Sequence, residues 1–305
     1  MISVIIPLYN KEKNISDTIN SILTQTFQNF EIIVVNDGST DKSLGIVSAI
    51  IDKRITIINQ ENRGVSSARN NGIKHAKYNY IALLDGDDLW SSSFLREMSS
   101  FIQAFPGASL YGSAYSFQHP DSTITTPDLG LKIHFQGYIE YFILAKNNTL
   151  FTSSSVVFRK DAFIEIGEFD ASFTKGEDID LWIRFALHGP VAFYNKSLAI
   201  YKLDGENRAF TQPTSKEKSL IWNLDKYRVY ENTNQVFKEF LDNWRLAHIN
   251  NYFKGIKNEV DEIKSLLKDI DLKKYSLIWT ILKNTPSFLQ PFVYRTWNYL
   301  RGLYR

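Results

Sequence analysis

Tyr80-Ile81-Ala82-Leu83-Leu84-Asp85-Gly86-Asp87-Asp88 sets a short apolar run directly before three carboxylates. A run of this length, bounded by a glycine-containing polar turn, predicts a buried strand over 80–84 that emerges into acids at its carboxyl end. Carboxylate oxygens suit hard cations such as Mg²⁺ or Mn²⁺, which bind proteins through one or two carboxylates together with a substrate's phosphates. Taken alone, an Asp-Gly-Asp-Asp turn is more often a cap for the following helix. The rest of the N-terminal half reverses that preference.

Three earlier segments share one rhythm: Ile2-Ser3-Val4-Ile5-Ile6-Pro7, Phe30-Glu31-Ile32-Ile33-Val34-Val35 and Ile55-Thr56-Ile57-Ile58. Each is short and β-branched, and each is followed by turn residues and then a helical pattern. Ile15, Ile19, Ile22 and Leu23 recur at helical spacing, as do Leu44, Val47, Ile50 and Ile51. Strand, helix and strand repeat over about 25 to 30 residues, the length of a βαβ unit. The fold class this predicts is α/β: an open, Rossmann-like, mostly parallel central sheet flanked by helices. Ligands of such sheets bind beyond the carboxyl ends of the strands.

Those ends carry the polar residues. The first strand runs into Pro7-Leu8-Tyr9-Asn10, the second into Asn36-Asp37-Gly38-Ser39-Thr40-Asp41, the third into Asn59-Gln60-Glu61-Asn62-Arg63-Gly64 and the fourth into the acids. Four turns facing one crevice suit a nucleotide: Asp37 and Tyr9 to hold a planar base, Gly38 for close backbone approach, Arg69 for positive charge. The plainer reading of 37–41 is a turn whose Asp41 caps the next helix. No strand is followed by Gly-x-Gly-x-x-Gly, and no Gly-x-x-x-x-Gly-Lys-Ser/Thr occurs, which disfavours dinucleotide and P-loop sites.

Over about residues 1 to 205 the chain resembles the GT-A glycosyltransferases of family 2, inverting enzymes that use nucleotide sugars. Several separated motifs stand in the family's order. Ser3-Val4-Ile5-Ile6-Pro7-Leu8-Tyr9-Asn10 is similar to the opening strand, and Val35-Asn36-Asp37-Gly38-Ser39-Thr40-Asp41 to the base-binding turn, with Asn36 where a first Asp is usual. Asn62-Arg63-Gly64-Val65-Ser66-Ser67-Ala68-Arg69 resembles the segment that offers a basic residue, Arg69, to the nucleotide. Leu84-Asp85-Gly86-Asp87-Asp88 matches the DXD motif. The resemblance implies a nucleotide site from Pro7, Tyr9, Asp37, Ser39, Arg69 and Asp85, with Asp87 and Asp85 holding Mn²⁺ or Mg²⁺. It favours a uridine donor, since Asp37 can meet that base's N3–H, over the guanosine and thymidine donors that also occur in the family.

Gly176-Glu177-Asp178-Ile179-Asp180-Leu181-Trp182 resembles the family's Glu-Asp motif, whose Asp is the general base; here that is Asp178. Phe151 to Lys160 resembles the strand beside the acceptor, so Ser154, Glu177 and Trp182 are expected on the acceptor side. Periodicity supports the position independently: Leu181, Trp182, Phe185 and Ala186 mark a helix ending at Gly189-Pro190, which places Asp178 at its first turn. The plainer role for Glu177, Asp178 and Asp180 is to cap that helix and complement its dipole.

At 305 residues, 44% hydrophobic, the chain can bury one large α/β domain and an appendage. Net charge +2 with dispersed bases argues against nucleic acid. The absence of cysteine excludes disulfides and thiolate chemistry. A core strand at the N-terminus without a basic-then-apolar leader, and no run of roughly 18 to 20 apolar residues, point to the cytoplasm. The catalytic domain is expected over 1–213 and a helical extension, acceptor-related or at the membrane surface, over 214–305. Val236, Phe237, Phe240, Leu241 and Trp244, then Val260, Ile263, Leu266 and Leu267, carry the helical spacing.

Residues 276–305 hold Trp279, Phe288, Phe292, Tyr294, Trp297, Tyr299 and Tyr304 with Lys283, Arg295, Arg301, Arg305 and no acid. Such a composition suits a peripheral contact at the inner face of a membrane, or a terminal helix that packs its rings and solvates its cations. The expected partners are a nucleotide-sugar donor and a glycan or lipid-linked acceptor, in surface polysaccharide or lipid-linked glycan synthesis. A nucleotidyltransferase or a non-catalytic nucleotide-sugar or carbohydrate binder are the alternatives. The first would want a Gly-rich basic loop in place of Pro7-Leu8-Tyr9-Asn10-Lys11. Intact Asp37, Asp85, Asp87 and Asp178 count against the second.

Overall fold

The computed structural model describes residues 1–146, 149–205, 214–255, 266–268, 270, 272–275, 277–285, 289–290, 292–295 and 297, with backbone alone at 250–255 and 273. Two compact units divide at Asn223/Leu224. The sequence boundary at 213/214 borders residues 206–213, which lie outside the described residues.

In the first unit the β-branched runs become strands β1 (Ile2–Leu8), β2 (Phe30–Asp37), β3 (Ile55–Gln60) and β4 (Tyr80–Leu83). They pair in parallel in the order β3-β2-β1-β4. Leu84, expected in the strand, has already left it, although its amide still donates to Ile5 O. Helices α1 (Ile15–Leu23), α2 (Ser43–Ser48) and α3 (Val65–His75) make the crossovers. Helix α1 buries Ile15, Thr18, Ile19 and Ile22, an i, i+3, i+4, i+7 stripe. Each fully buried isoleucine contributes about 1.5–3 kcal/mol relative to exposure. Helix α3 lies close on the sheet at Gly72, where a Cβ would stand 2.5 Å from Ile5 Cγ2 and 3.1 Å from Val35 Cγ2.

Chain order and sheet order diverge at β1. The chain walks outward from β1 to β3 and returns on β1's other side as β4, so the two βα connections that leave β1 and β4 diverge over one crevice. This is the switch point at which open α/β sheets bind ligands.

Beyond β4 the sheet becomes mixed. The remaining strands are β5 (Leu89–Trp90), β6 (Leu110–Gln118), β7 (Ile124–Thr125), β8 (Gln136–Ile139), β9 (Val156–Arg159) and β10 (Val191–Lys202). Strand β9 runs antiparallel to both β4 and β6, and β10 is parallel to β6. The runs 191–194 and 198–201 form one strand, β10, with register shifts near Ser197. Helices α4 (Phe94–Ala104), α5 (Tyr141–Leu144), α6 (Lys160–Ile166) and α7 (Glu177–His188) complete the unit. Among the described residues no helix is long and apolar enough to cross a membrane.

The second unit contains α8 (Arg228–Thr233), α9 (Gln235–Gly255) and α10 (Leu277–Asn284). Phe237, Leu241, Leu267 and Leu282 are buried, and Arg245 makes a buried double contact with Glu231 at 2.6 and 3.0 Å. Val260 and Ile263 lie outside the described residues, as do Phe288, Tyr299, Arg301, Tyr304 and Arg305 from the aromatic and basic stretch. Of the rest of that stretch, Trp279 and Tyr294 are buried while Phe292 is 70% exposed.

Candidate active site

The turn after β2 holds Asp37 at 3% exposure. Its carboxylate accepts the backbone N–H groups of Arg63 and Gly64, both at 2.9 Å, and Gln60 Nε2 at 2.7 Å. Three donors on one carboxylate fix the junction between β3 and the start of α3. Gly38 takes φ +72, and a Cβ there would stand 2.9 Å from the Asn62 amide nitrogen, so both conformation and space require glycine. Ser39 links this turn to the β1 turn by accepting the Asn10 amide at 3.2 Å. Tyr9 is 38% exposed, and Pro7 ends up inside β1 with its carbonyl against Gly86.

The acids after β4 are held from several sides. The Asp85 amide donates to Ser154 Oγ at 3.1 Å, and that hydroxyl donates to Asp88 Oδ2 at 2.5 Å. Asp88 also accepts the Lys202 amide at 3.2 Å. Burial, with Asp85 and Asp87 nearby, pushes the Asp88 carboxyl well above the usual range. Asp87 pairs with Lys11 Nζ at 2.6 Å. Burial raises its carboxyl as well, and Lys11 opposes the rise.

Arg69 ties this cluster to the α7 N-terminus. Its Nη2 donates to Asp85 Oδ1 at 2.8 Å and its Nη1 to Glu177 Oε1 at 3.3 Å, and the guanidinium lies 5.3 Å from the Phe169 ring centroid. The side chain is 3% exposed and Nε has no hydrogen-bond partner. Burial disfavours the charge, but Asp85 and Glu177 more than restore it. Gly176, left-handed at φ +80, starts α7. Asp178 accepts the Ile179 amide at 2.8 Å. Burial raises its carboxyl, with Arg69 and that amide opposing. Burial and the neighbouring Asp178 push Glu177 up to about 7.

Asp85, Asp87, Arg69, Glu177 and Asp178 are therefore one electrostatic cluster, and Asp37 and Ser39 sit along the same carboxyl edge at the end of β2, with β1 between them and the acid turn. Acids outnumber the cations within it. Among the described residues no group of three or more His, Cys, Asp or Glu is arranged to hold a metal by itself. Two hard carboxylates at a crevice, with negative charge in excess, fit Mn²⁺ or Mg²⁺ bound jointly with phosphates. Ser154 is buried as a support of the acid turn. Trp182 is 0% exposed, stacked near Phe185 and edge-on to Phe151, and so offers an acceptor no surface here.

The glycosyl transferase family 2 model matches residues 3–167, which contain β1 to β4 and the acid turn. The chain belongs to that family. It is 30% identical over 250 residues to an uncharacterized glycosyltransferase of Rickettsia conorii, covering 81% of this chain and 40% of that one. To glycosyltransferase GlyA of Streptococcus pneumoniae it is 32% identical over 213 residues, covering 66% of this chain and 30% of GlyA. The chain thus spans less than half the length of these relatives. In fold it is similar to residues 1–349 of S. aureus TarS in complex with UDP-GlcNAc, with TM-score 0.76, 20% identity and coverage of 99% and 92%. The GT-A fold expected from the motifs is the fold of this family 2 chain.

Sequence reading gave no individual role to Lys11, to Gln60 in the third crevice turn, or to Gly205 in a segment that reads as a linker or an active-site loop. Lys11 stands just past β1, at the carboxyl edge where any long side chain reaches the crevice. Gln60 is the last residue of β3 and so has the same edge position. Gly205 approaches Asp87 so closely that a Cβ would lie 2.2 Å from Oδ2. No local pattern signals that approach, because it joins segments over a hundred positions apart.

Proposed function

We propose that this family 2 chain transfers a sugar from a nucleoside-diphosphate sugar, with uridine as the base, to an acceptor hydroxyl with inversion. The observation that carries the reading is Arg69, which joins the acid turn after β4 to the helix start bearing Asp178. Asp178 takes the acceptor's proton as the acceptor oxygen bonds to the anomeric carbon. The bond from that carbon to the diphosphate oxygen breaks, and the nucleoside diphosphate leaves with its electron pair. Burial raises the Asp178 carboxyl above its ordinary value, which makes it a stronger base than an exposed aspartate.

Asp37 and Ser39 receive the base side of the donor, Tyr9 and Pro7 border it, and Asp85 meets the ribose or the cation. Asp87 and Asp85 would hold Mn²⁺ or Mg²⁺, which when bound supplies charge neutralisation to the departing diphosphate. The acceptor is a glycan, free or lipid-linked, entering beside Glu177. For a lipid-linked one, exposed Leu277, Ile281 and Phe292 in an acid-free segment support contact with a membrane's inner face. Thermal melting across a panel of nucleotide sugars, with and without Mn²⁺, tests the donor. One UDP-sugar should raise the melting temperature in an Mn²⁺-dependent manner. No shift with any donor overturns the reading.

A further inference from the structure

Lys11 occupies the place a cation would need. Its Nζ is 2.6 Å from Asp87 Oδ2, with both side chains little exposed. A divalent ion ligated by that same oxygen would sit at about 2.0–2.1 Å for Mg²⁺, so ammonium and metal ion compete for it by charge and by space. The lysine is not a stray surface chain. Its amide donates to Ser43 Oγ at 2.7 Å, and its carbonyl accepts the Asn14 and Ile15 amides at 3.0 and 2.9 Å, which anchors its backbone at the start of α1.

The side chain reaches Asp87 past Gly86, where a Cβ would stand 3.3 Å from Lys11 Cγ. Gly205 also comes close to the same oxygen, near enough that a Cβ there would stand 2.2 Å from Oδ2. The carboxylate thus has a built-in counter-cation and a close neighbour.

We propose that Lys11 holds the cation position in the donor-free protein and gives it up to the donor's diphosphate. The inference rests on the nucleotide-sugar reading above. Diphosphate oxygens arriving in the crevice offer the ammonium an alternative anion, and as Lys11 turns to them Asp87 becomes available to the metal. Donor and cation then enter together, and the cation alone binds weakly.

Isothermal titration of the intact protein with Mn²⁺ alone tests this. Lys11→Met keeps an aliphatic stem without the charge, and it should bind Mn²⁺ at least tenfold more tightly than the wild type. The double change Lys11→Met, Asp87→Asn should lose that gain. Lys11→Gln, a second neutral variant of similar length, guards against a folding defect specific to methionine and should show the same gain. Equal or weaker Mn²⁺ binding in both neutral variants overturns the proposal, as does a gain that survives Asp87→Asn. A parallel titration of wild type and Lys11→Met with UDP plus Mn²⁺ separates the two readings. UDP bound without a Lys11 effect sinks only this inference, whereas no UDP binding sinks the donor reading itself.

Discussion

Arg69 Nη1 lies 3.3 Å from Glu177 Oε1, and through this pair a helix that follows the third strand grips the helix that carries Asp178. The other arm of the same guanidinium holds Asp85 at 2.8 Å. Planar, permanently charged and forked, arginine can serve both carboxylates at once, which a single ammonium cannot. Arg69→Met leaves two carboxylates near one another without their shared cation. Its expected cost is about 3–5 kcal/mol, measured by chemical denaturation, with Arg69→Lys recovering only part.

Glu177 sets a pH dependence. Its ordinary value is 4.5 and burial pushes it up to about 7, so between those values the folded state holds a proton that the unfolded chain has released. Its contribution to stability is complete below about pH 4.5 and is lost as pH rises through about 7. Glu177→Gln does not titrate, so wild type should lose stability relative to that variant as pH rises across the window, measured by chemical denaturation.

Ser154 tests the support of the acid turn. Ser154→Ala removes a hydroxyl that donates to Asp88 and accepts from the Asp85 amide, and both partners are left without it. The expected loss is about 1–3 kcal/mol in denaturation, together with weaker donor binding.

Gly38→Ala forces a Cβ onto a backbone at φ +72 and against the Asn62 amide. The left-handed conformation alone costs roughly 1–2 kcal/mol. Because Asp37 is the preceding residue, UDP affinity measured by calorimetry should fall along with the melting temperature.

The parallel half of the fold was legible because β1, β2 and β4 are buried on both faces and, with the partly exposed edge strand β3, write themselves as short apolar runs separated by turn chemistry. Leu181 to Ala186 announced α7 in the same way. The mixed half was less so. Whether β9 pairs antiparallel to β4 depends on partners far along the chain, which neither Val156 nor Arg159 encodes locally. Among site residues, Asp37, Asp85, Asp87 and Asp178 stood out because several acids at strand or helix ends form a pattern. Lys11 and Gly205 acquire meaning only from what approaches them. Trp182 was expected on the acceptor side from the resemblance and on a helix from its spacing with Leu181 and Phe185, and the structure buries it fully.

The central claim is that Asp178 takes the acceptor's proton. Single-turnover transfer by Asp178→Asn, with the donor found in the nucleotide-sugar screen, tests it most directly. The account predicts donor affinity close to that of wild type, measured by calorimetry, with transfer reduced at least a thousandfold, in line with the roughly 10²–10⁴-fold worth of a general base. Transfer at the wild-type rate by Asp178→Asn would contradict it.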